Sequence, residues 1–206
     1  VLQECKGLLI FSGIGKSELI AKKIAFTMTS TGTPALFLSA TNALHGDIGV
    51  VTSKDVFIML SKSGESDELL QLIPYLRNKG APIIAFVCNS ASRLAKACDF
   101  SLEIPMESEL CPFDLAPTTS AVAQMLVGDI LSVGLMRNKN FSLDDYAKNH
   151  PSGRIGRRIT MKVKDLMLID DDVPKCLPGD KLIKILVELS NKKCGCVLII
   201  DESNTL

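Results

Sequence analysis

Short aliphatic runs alternate with longer amphipathic segments over most of this chain. The runs are typical of strands that are buried on both faces of a parallel sheet, and the segments between them have helical spacing. Because βαβ crossovers are right-handed, this alternation predicts an α/β fold, a three-layer αβα sandwich around a five-stranded parallel sheet. The predicted strands are 8–11, 34–38, 56–60, 82–87 and 101–104, and the predicted helices are 16–30, 66–78, 91–97 and about 118–136.

The pattern changes after the last of these helices. Residues 138–158 are polar, and a new unit opens at Val163 with helix-like 181–190 and strand-like 196–200. The chain starts at Val1 and stops soon after that strand, so we expect a fragment of a longer protein. We predict one domain over residues 1–160 and an incomplete second unit over 161–206.

Charge and hydropathy argue against two classes of partner. Lys and Arg number 23, as do Asp and Glu, so no net basic field is available for nucleic acid or for a membrane surface. The longest apolar stretch, 121–135, is interrupted by Gln124 and Asp129 and is short for a bilayer. We interpret it as a core helix.

The cysteines indicate a reducing compartment. There are seven, an odd number without the spacing of a disulfide framework. Cys194 and Cys196 form CxC rather than CxxC and have no histidine beside them, so we predict no metal site there. A cytoplasmic location follows as the expectation.

The first loop whose residues could bind a ligand is Ser12–Ser17, between a predicted strand and a predicted helix. Glycines let the backbone approach an anion, and the helix N-terminus supplies unpaired N–H groups. A P-loop needs glycine where Ile10 stands, and a dinucleotide fingerprint needs glycine where Glu18 stands. An ordinary tight turn remains open, but Lys16 favours an anionic substrate.

A second loop has the same position relative to its strand and helix. Ser61, Ser63 and Ser66 combine three hydroxyls with first-turn N–H groups, which suits phosphate. Helix capping is the alternative, although one serine would serve for that. The segment 118–120 also places three hydroxyl side chains at the start of a predicted helix.

Acid–base groups follow these loops. Glu68 lies early in the helix after the serine loop, and Glu107 and Glu109 follow the fifth strand. From the residues alone, the interpretation of each carboxylate as a solvated surface acid is favoured. His45 and His150 flank glycine-containing turns, and neither belongs to a Ser-His-Asp or HExxH pattern.

Taken together, the motifs resemble the sugar isomerase (SIS) family, and more narrowly the arabinose-5-phosphate isomerases, over about residues 8–160. From Val163 the chain resembles the opening of a CBS domain, carried by 163–167 and 197–201, with about half of the first repeat present. The matching SIS segments are Gly13–Ser17, Ser30–Pro34, His45–Gly49, Ser63–Ser66, Leu115–Ser120 and the run from His150 to Gly153.

The resemblance implies interconversion of D-ribulose 5-phosphate and D-arabinose 5-phosphate through an enediol, feeding synthesis of Kdo, a lipopolysaccharide sugar. It implies no cofactor and no required metal. Glu109 would shuttle the proton, Lys16 would stabilise the enediolate oxygen, Glu68 would orient or share protons, and His150 would assist ring opening or proton transfer.

The family also implies binding residues and partners. His45 would contact the sugar or bind an inhibitory metal. A homotetramer with shared active sites is implied, in which His150 reaches a neighbour's pocket, and a complete CBS pair would bind a nucleotide effector. The alternative is a phosphosugar-binding regulator without catalysis, which could dispense with the four catalytic positions. The implied substrate- and phosphate-binding residues are Ser12, Gly13, Ser17, His45, Ser61, Ser63, Ser66, Thr118, Thr119 and Ser120.

Overall fold

The protein, seen in a computed structural model, forms two compact units, Val1–Ile159 and Thr160–Leu206. The residues described are 1–151, 153, 156, 159, 161–203 and 205. Residue 160, where the predicted domain boundary falls, lies outside them.

The first unit contains a five-stranded, fully parallel sheet of order β2-β1-β3-β4-β5. Its elements, in chain order, are β1 (Leu9–Gly13), α1 (Lys16–Ser30), β2 (Ala35–Phe37), α2 (Ala40–Leu44), β3 (Val56–Ser61), α3 (Asp67–Lys79), β4 (Ile83–Val87), α4 (Arg93–Ala97), β5 (Phe100–Glu103), α5 (Thr119–Asn138) and α6 (Leu143–Asn149), with a 3₁₀ turn at Asp47–Val50.

Helices cover both faces of the sheet. Residues of β1 alternate between the two cores: Leu9 and Phe11 pack with α1 and α5, whereas Ile10 packs with the core of α2, α3 and α4. Every residue of β1, β3 and β4 is buried. The predicted αβα sandwich and its parallel sheet are therefore confirmed.

Two short helices were not predicted. The segment that forms α2 is too short to show a hydrophobic period, and α6 lies in the region read as polar. Helix α6 begins at a capping box, in which Ser142 and Asp145 satisfy each other's backbone N–H groups. This capping box is a local sequence signal from which α6 could have been predicted.

The prediction of a core helix at 121–135 is correct for only one face of α5. That face carries small and polar residues, and a Cβ at Gly128 would lie 2.3 Å from Ile24 Cδ1, so α5 packs very close to α1. By length and composition alone α5 could cross a membrane. Its ion pair from Asp129 to Lys23 and its packing on α1 tie it to the sheet domain. The exposed aliphatic side chains are Val122, Leu126, Ile130 and Val133.

The second unit is a small α/β structure. A parallel pair, β6 (Lys175–Cys176) and β7 (Leu198–Ile199), is joined through helix α7 (Leu182–Lys192). Cys176 is buried, whereas Leu182, Ile183 and Leu186 of α7 are largely exposed.

Candidate active site

The strand order places a crevice between β1 and β3. Chain connections leave these neighbouring strands in opposite directions across the sheet, and ligands of open α/β sheets bind at such switch points, at the carboxyl ends of the strands. The loops Ser12–Ser17 and Ser61–Ser66 follow β1 and β3 there. Helices α1 and α3 begin at these loops, so their free N–H groups face the same edge.

The two glycines of the first loop are required for different reasons. A Cβ at Gly13 would lie 2.8 Å from the Ser17 carbonyl, so this position allows close packing of the helix start. Gly15 has φ 61° and ψ −123°, a conformation that glycine adopts freely. Lys16 follows as the exposed first residue of α1, and its side chain forms no hydrogen bond or ion pair with the described residues.

Ser12 and Ser17 turn inward rather than outward. Ser12 is fully buried, and its Oγ has no hydrogen-bond partner within the part of the chain that is described. Ser17 Oγ donates to Gln124 Oε1 at 3.1 Å, linking the start of α1 to the second turn of α5. Ser17 was predicted to bind phosphate; in this conformation its hydroxyl binds Gln124 of α5.

The second loop is supported from behind by the connection between β4 and α4. Gly64 has φ +69°, and a Cβ there would lie 2.1 Å from Ser92 Oγ. Leu94 N–H donates to the Gly64 carbonyl at 2.9 Å, and Arg93 N–H donates to Glu65 Oε1 at 3.0 Å. Arg93 and Leu94 thus hold the loop by hydrogen bonds and Ser92 packs against Gly64, and no sequence motif indicated these residues.

The three serine hydroxyls of this loop are not equivalent. Ser61 is 4% exposed, and its Oγ accepts Gly64 N–H at 3.0 Å and lies 3.0 Å from Ser66 Oγ. Ser63 is exposed and Ser66 is half-buried. In this conformation the Ser61 hydroxyl shapes the loop, and its expected contact with phosphate stays a prediction.

Glu109 caps the start of α5. Its carboxylate accepts the Thr118 N–H at 2.8 Å and hydroxyl at 3.0 Å, and the Ser120 N–H at 3.1 Å and hydroxyl at 2.5 Å. Lys62 Nζ lies 3.0 Å from the same carboxylate, whose side chain is 0% exposed. Thr118 and Ser120, expected to bind phosphate, here bind Glu109.

These contacts fix the charge of Glu109. Burial alone would raise its pKa, but the hydrogen bonds from Ser120, Thr118 and Lys62 outweigh burial and hold that pKa far below its usual range. A buried, ionised carboxylate with both oxygens already bonded is a poor proton acceptor. In this conformation Glu109 positions α5, and its expected role as the proton-shuttling base stays a prediction.

A cavity of about 320 Å³ opens beside the second loop. Lys62 is one-third exposed on its wall, and its pKa is raised by the hydrogen bond to Glu109. Burial raises the pKa of the Cys88 thiol, which also faces this cavity. The lining residues are Lys62, Ser63, Glu65, Cys88, Asn89, Met106, Glu107 and Asp114.

Comparison with known proteins identifies the family of this chain. Residues 2–134 match the model of the SIS domain. The chain belongs to the SIS domain family. It is 44% identical over 197 residues to a Haemophilus influenzae protein named probable arabinose 5-phosphate isomerase, covering 96% of this chain and 58% of that protein.

Two further relatives are similar. A Francisella tularensis protein named arabinose 5-phosphate isomerase KdsD is 41% identical over 201 residues, covering 98% of this chain and 61% of that protein. An Escherichia coli CFT073 protein solved in complex with arabinose 5-phosphate is 43% identical with a TM-score of 0.72, covering 73% of this chain and 80% of that one. The chain spans less than two thirds of the length of the curated relatives named here.

Most of the predicted positions lie at the carboxyl edge of this SIS domain. Glu68 is the second residue of α3, is exposed, and has no bonded partner among the described residues. His45 is exposed and ends α2, which follows β2. Glu68 therefore shares an edge with Lys16 and Glu109, although its side chain forms no hydrogen bond or ion pair with either of them in the part of the chain that is described.

His150 lies at the opposite end of the SIS domain. Asn149 Nδ2 donates to the Ser30 carbonyl at 3.2 Å, which places the end of α6 beside the last residue of α1. Helix α1 has 15 residues and is therefore about 22 Å long, with Lys16 at its other end. The His150 ring stacks on Tyr146 at 4.0 Å. Ser152, in the same motif, lies outside the described residues.

Metal ligands are not gathered in the described ranges, where no group of three or more His, Cys, Asp or Glu side chains could hold an ion. All seven cysteines are free.

Proposed function

We propose that this chain is the isomerase portion of an arabinose 5-phosphate isomerase, interconverting D-ribulose 5-phosphate and D-arabinose 5-phosphate. The observation that carries the proposal is the crevice between β1 and β3, where α1 and α3 both start and where Lys16 pairs with none of the described residues. Relatives with that name and a similar structure solved with arabinose 5-phosphate support the choice of substrate.

The phosphate end of the sugar would bind at the second loop. Ser63, Ser66 and the free N–H groups at the start of α3 form a neutral, preorganised anion site. The reacting end would then lie near Lys16, whose ammonium stabilises negative charge on the enediolate oxygen.

The reaction moves one proton from C2 of the aldose to C1, while a proton passes between the two oxygens. Of the catalytic carboxylates implied by the resemblance, Glu68 has no bonded oxygen among the described residues, whereas both oxygens of Glu109 are bonded. We therefore assign the carbon-bound proton to Glu68, and to Glu109 the positioning of α5.

The deciding experiment follows hydrogen exchange by NMR in deuterated water, with ribulose 5-phosphate and with other ketose phosphates. Isomerisation with solvent exchange at C1 and C2 is expected for ribulose 5-phosphate. Binding without exchange or turnover would instead support the non-catalytic phosphosugar regulator. Glu68→Gln should abolish exchange, and loss of exchange only in Glu109→Gln would reverse the assignment of the base.

We further propose a homotetramer with shared active sites. Helices α1 and α5 both expose large apolar side chains, with Leu19 and Phe26 of α1 at 60% and 61% exposure and Leu126 and Ile130 of α5 also exposed. Such exposed apolar side chains are typical of a contact between copies of a chain. His150, at the far end of its own domain, would then serve a neighbouring crevice.

A mixing experiment tests this sharing. Two inactive variants, Glu68→Gln and His150→Asn, are unfolded together and reassembled. Recovered activity is expected, because some mixed interfaces join an intact Glu68 to an intact His150. If the mixture stays inactive while wild-type protein regains activity under the same protocol, His150 does not act across an interface.

The remaining assignments are proposals about the whole protein. Residues 161–206 would be the first part of a CBS module, whose nucleotide effector needs the complete pair. The enzyme would work in the cytoplasm and feed Kdo synthesis, in keeping with its free cysteines. Adenine nucleotides should leave the melting temperature of this chain unchanged, and a clear increase would contradict the idea of an incomplete nucleotide site.

A further inference from the structure

Lys62 connects two parts of the candidate site that are distant in sequence. Its backbone belongs to the serine loop, where Cys88 N–H donates to the Lys62 carbonyl at 3.0 Å. Its ammonium lies 3.0 Å from Glu109 Oε1 and 3.8 Å from Asp114 Oδ1. Over the described part of the chain, Lys62 is the only side-chain cation paired with Glu109. The positive charge of Lys62 in the serine loop is thus paired with the Glu109 carboxylate that caps α5.

The ammonium is also placed to meet an anion in the loop. Lys62 and Ser63 line the same cavity, and Lys62 is the only cation among the described residues on its wall. Arg93 lies behind the loop and pairs with Glu65 and Asp67. A phosphate bound at Ser63 and Ser66 would therefore compete with Glu109 for Lys62.

We propose that Lys62 is a positioning residue shared between Glu109 and the substrate phosphate, passing from the carboxylate to the phosphate when substrate binds. This inference rests on the phosphate site proposed above. It also implies that Glu109 loses its cation, and becomes more basic, only in the substrate complex.

Charge and flexibility favour this exchange. A sugar phosphate carries about −1.5 to −2 charges near neutral pH, against a single charge on a carboxylate, so at equal distance it attracts an ammonium more strongly. The lysine side chain is flexible and one-third exposed, so its ammonium can turn while the backbone stays fixed. Glu109 keeps the N–H and hydroxyl donors of Thr118 and Ser120, which continue to stabilise its charge.

A double-mutant cycle on inorganic phosphate binding tests the exchange. Calorimetric dissociation constants are measured for wild type, Lys62→Met, Glu109→Gln and the double variant. Lys62→Met should weaken binding by about 3- to 10-fold, and Glu109→Gln should strengthen it by a similar factor, because it frees the ammonium. The gain from Glu109→Gln should disappear in the Lys62→Met background.

Two further variants separate charge from folding. Lys62→Arg keeps the positive charge, so it should retain most of the phosphate affinity that Lys62→Met loses. If Lys62 only filled space in the fold, the charge of arginine would not by itself preserve the affinity. Lys54→Met removes an exposed lysine from the segment just before β3, at the opposite edge, and should leave the affinity unchanged.

Each outcome decides between the proposals. An equal gain from Glu109→Gln in both backgrounds overturns the sharing of Lys62 but leaves the phosphate site intact. If wild-type protein binds no phosphate and Ser63→Ala has no effect on sugar-phosphate binding, the phosphate site itself fails, and this inference with it. If Glu109→Gln does not fold, a phosphate-bound crystal structure decides: Lys62 still paired with Glu109 would overturn the exchange.

Discussion

Replacing Glu109 by glutamine should destabilise the SIS domain. The carboxylate accepts two hydrogen bonds from Thr118 and two from Ser120, and it forms an ion pair with Lys62. The Glu109 side chain is fully buried. Glutamine keeps the shape, but one oxygen becomes an NH₂ group that faces the Lys62 ammonium. The change therefore weakens the hydrogen bonds from Thr118 and Ser120, and of the two carboxylates beside Lys62 it leaves only Asp114, at 3.8 Å.

The size of the effect follows from the kind of bond lost. Hydrogen bonds to charged groups contribute about 1.5–3 kcal/mol, against about 0.5–1.5 kcal/mol for neutral ones. Lys62 can rehydrate because it is one-third exposed, so losing its pairing adds little. We expect the free energy of unfolding to fall by about 2 kcal/mol, measured by urea denaturation at neutral pH.

Glu107→Gln is the matched control. Glu107 is exposed, two positions away, and its side chain has no bonded partner among the residues described. Its substitution should change the free energy of unfolding by less than about 0.5 kcal/mol. Equal stabilities for the two variants would refute the view that Glu109 holds the start of α5.

The pH dependence provides an independent check. The pKa of Glu109 is lowered in the folded protein, so the unfolded chain binds the proton more readily, and acid favours unfolding. The stability difference between wild type and Glu109→Gln should be constant above the unfolded pKa of about 4.3 and shrink as pH falls below it. A difference that grows in acid would contradict the assigned charge.

Two other predictions use the loops. Gly64→Ala should cost about 2–4 kcal/mol of stability or displace the loop, because Gly64 has φ +69° and a Cβ there would lie 2.1 Å from Ser92 Oγ. Adding Ser92→Gly should recover part of the loss, and full stability of the single variant by thermal denaturation would contradict this account. Lys16→Met should leave stability within about 0.5 kcal/mol, since Lys16 is exposed, while turnover falls by about 10²- to 10³-fold. Unchanged turnover would remove Lys16 from the reaction.

Much of the fold could be predicted because its signals are local. A buried parallel strand needs a run of apolar residues, and a helix between strands needs an apolar stripe, so five strands and their order along the chain could be read directly. The loops at Gly13–Ser17 and Ser61–Ser66 were also recognisable, since tight strand-to-helix turns restrict residue type. The 3.6-residue period could not say which face of α5 would be buried, because both faces carry apolar or small residues.

The tertiary structure alone decided which side chains meet. Lys62 and Glu109 are partners because the segment after β5 returns to the start of α5, beside the end of β3, and no local pattern encodes that return. The same holds for Ser92 against Gly64. The sequence by itself determined that His150 stands in a polar segment beyond the sheet. Only the packing of α6 against the end of α1 placed it away from Lys16, because helix length separates the two edges of the domain.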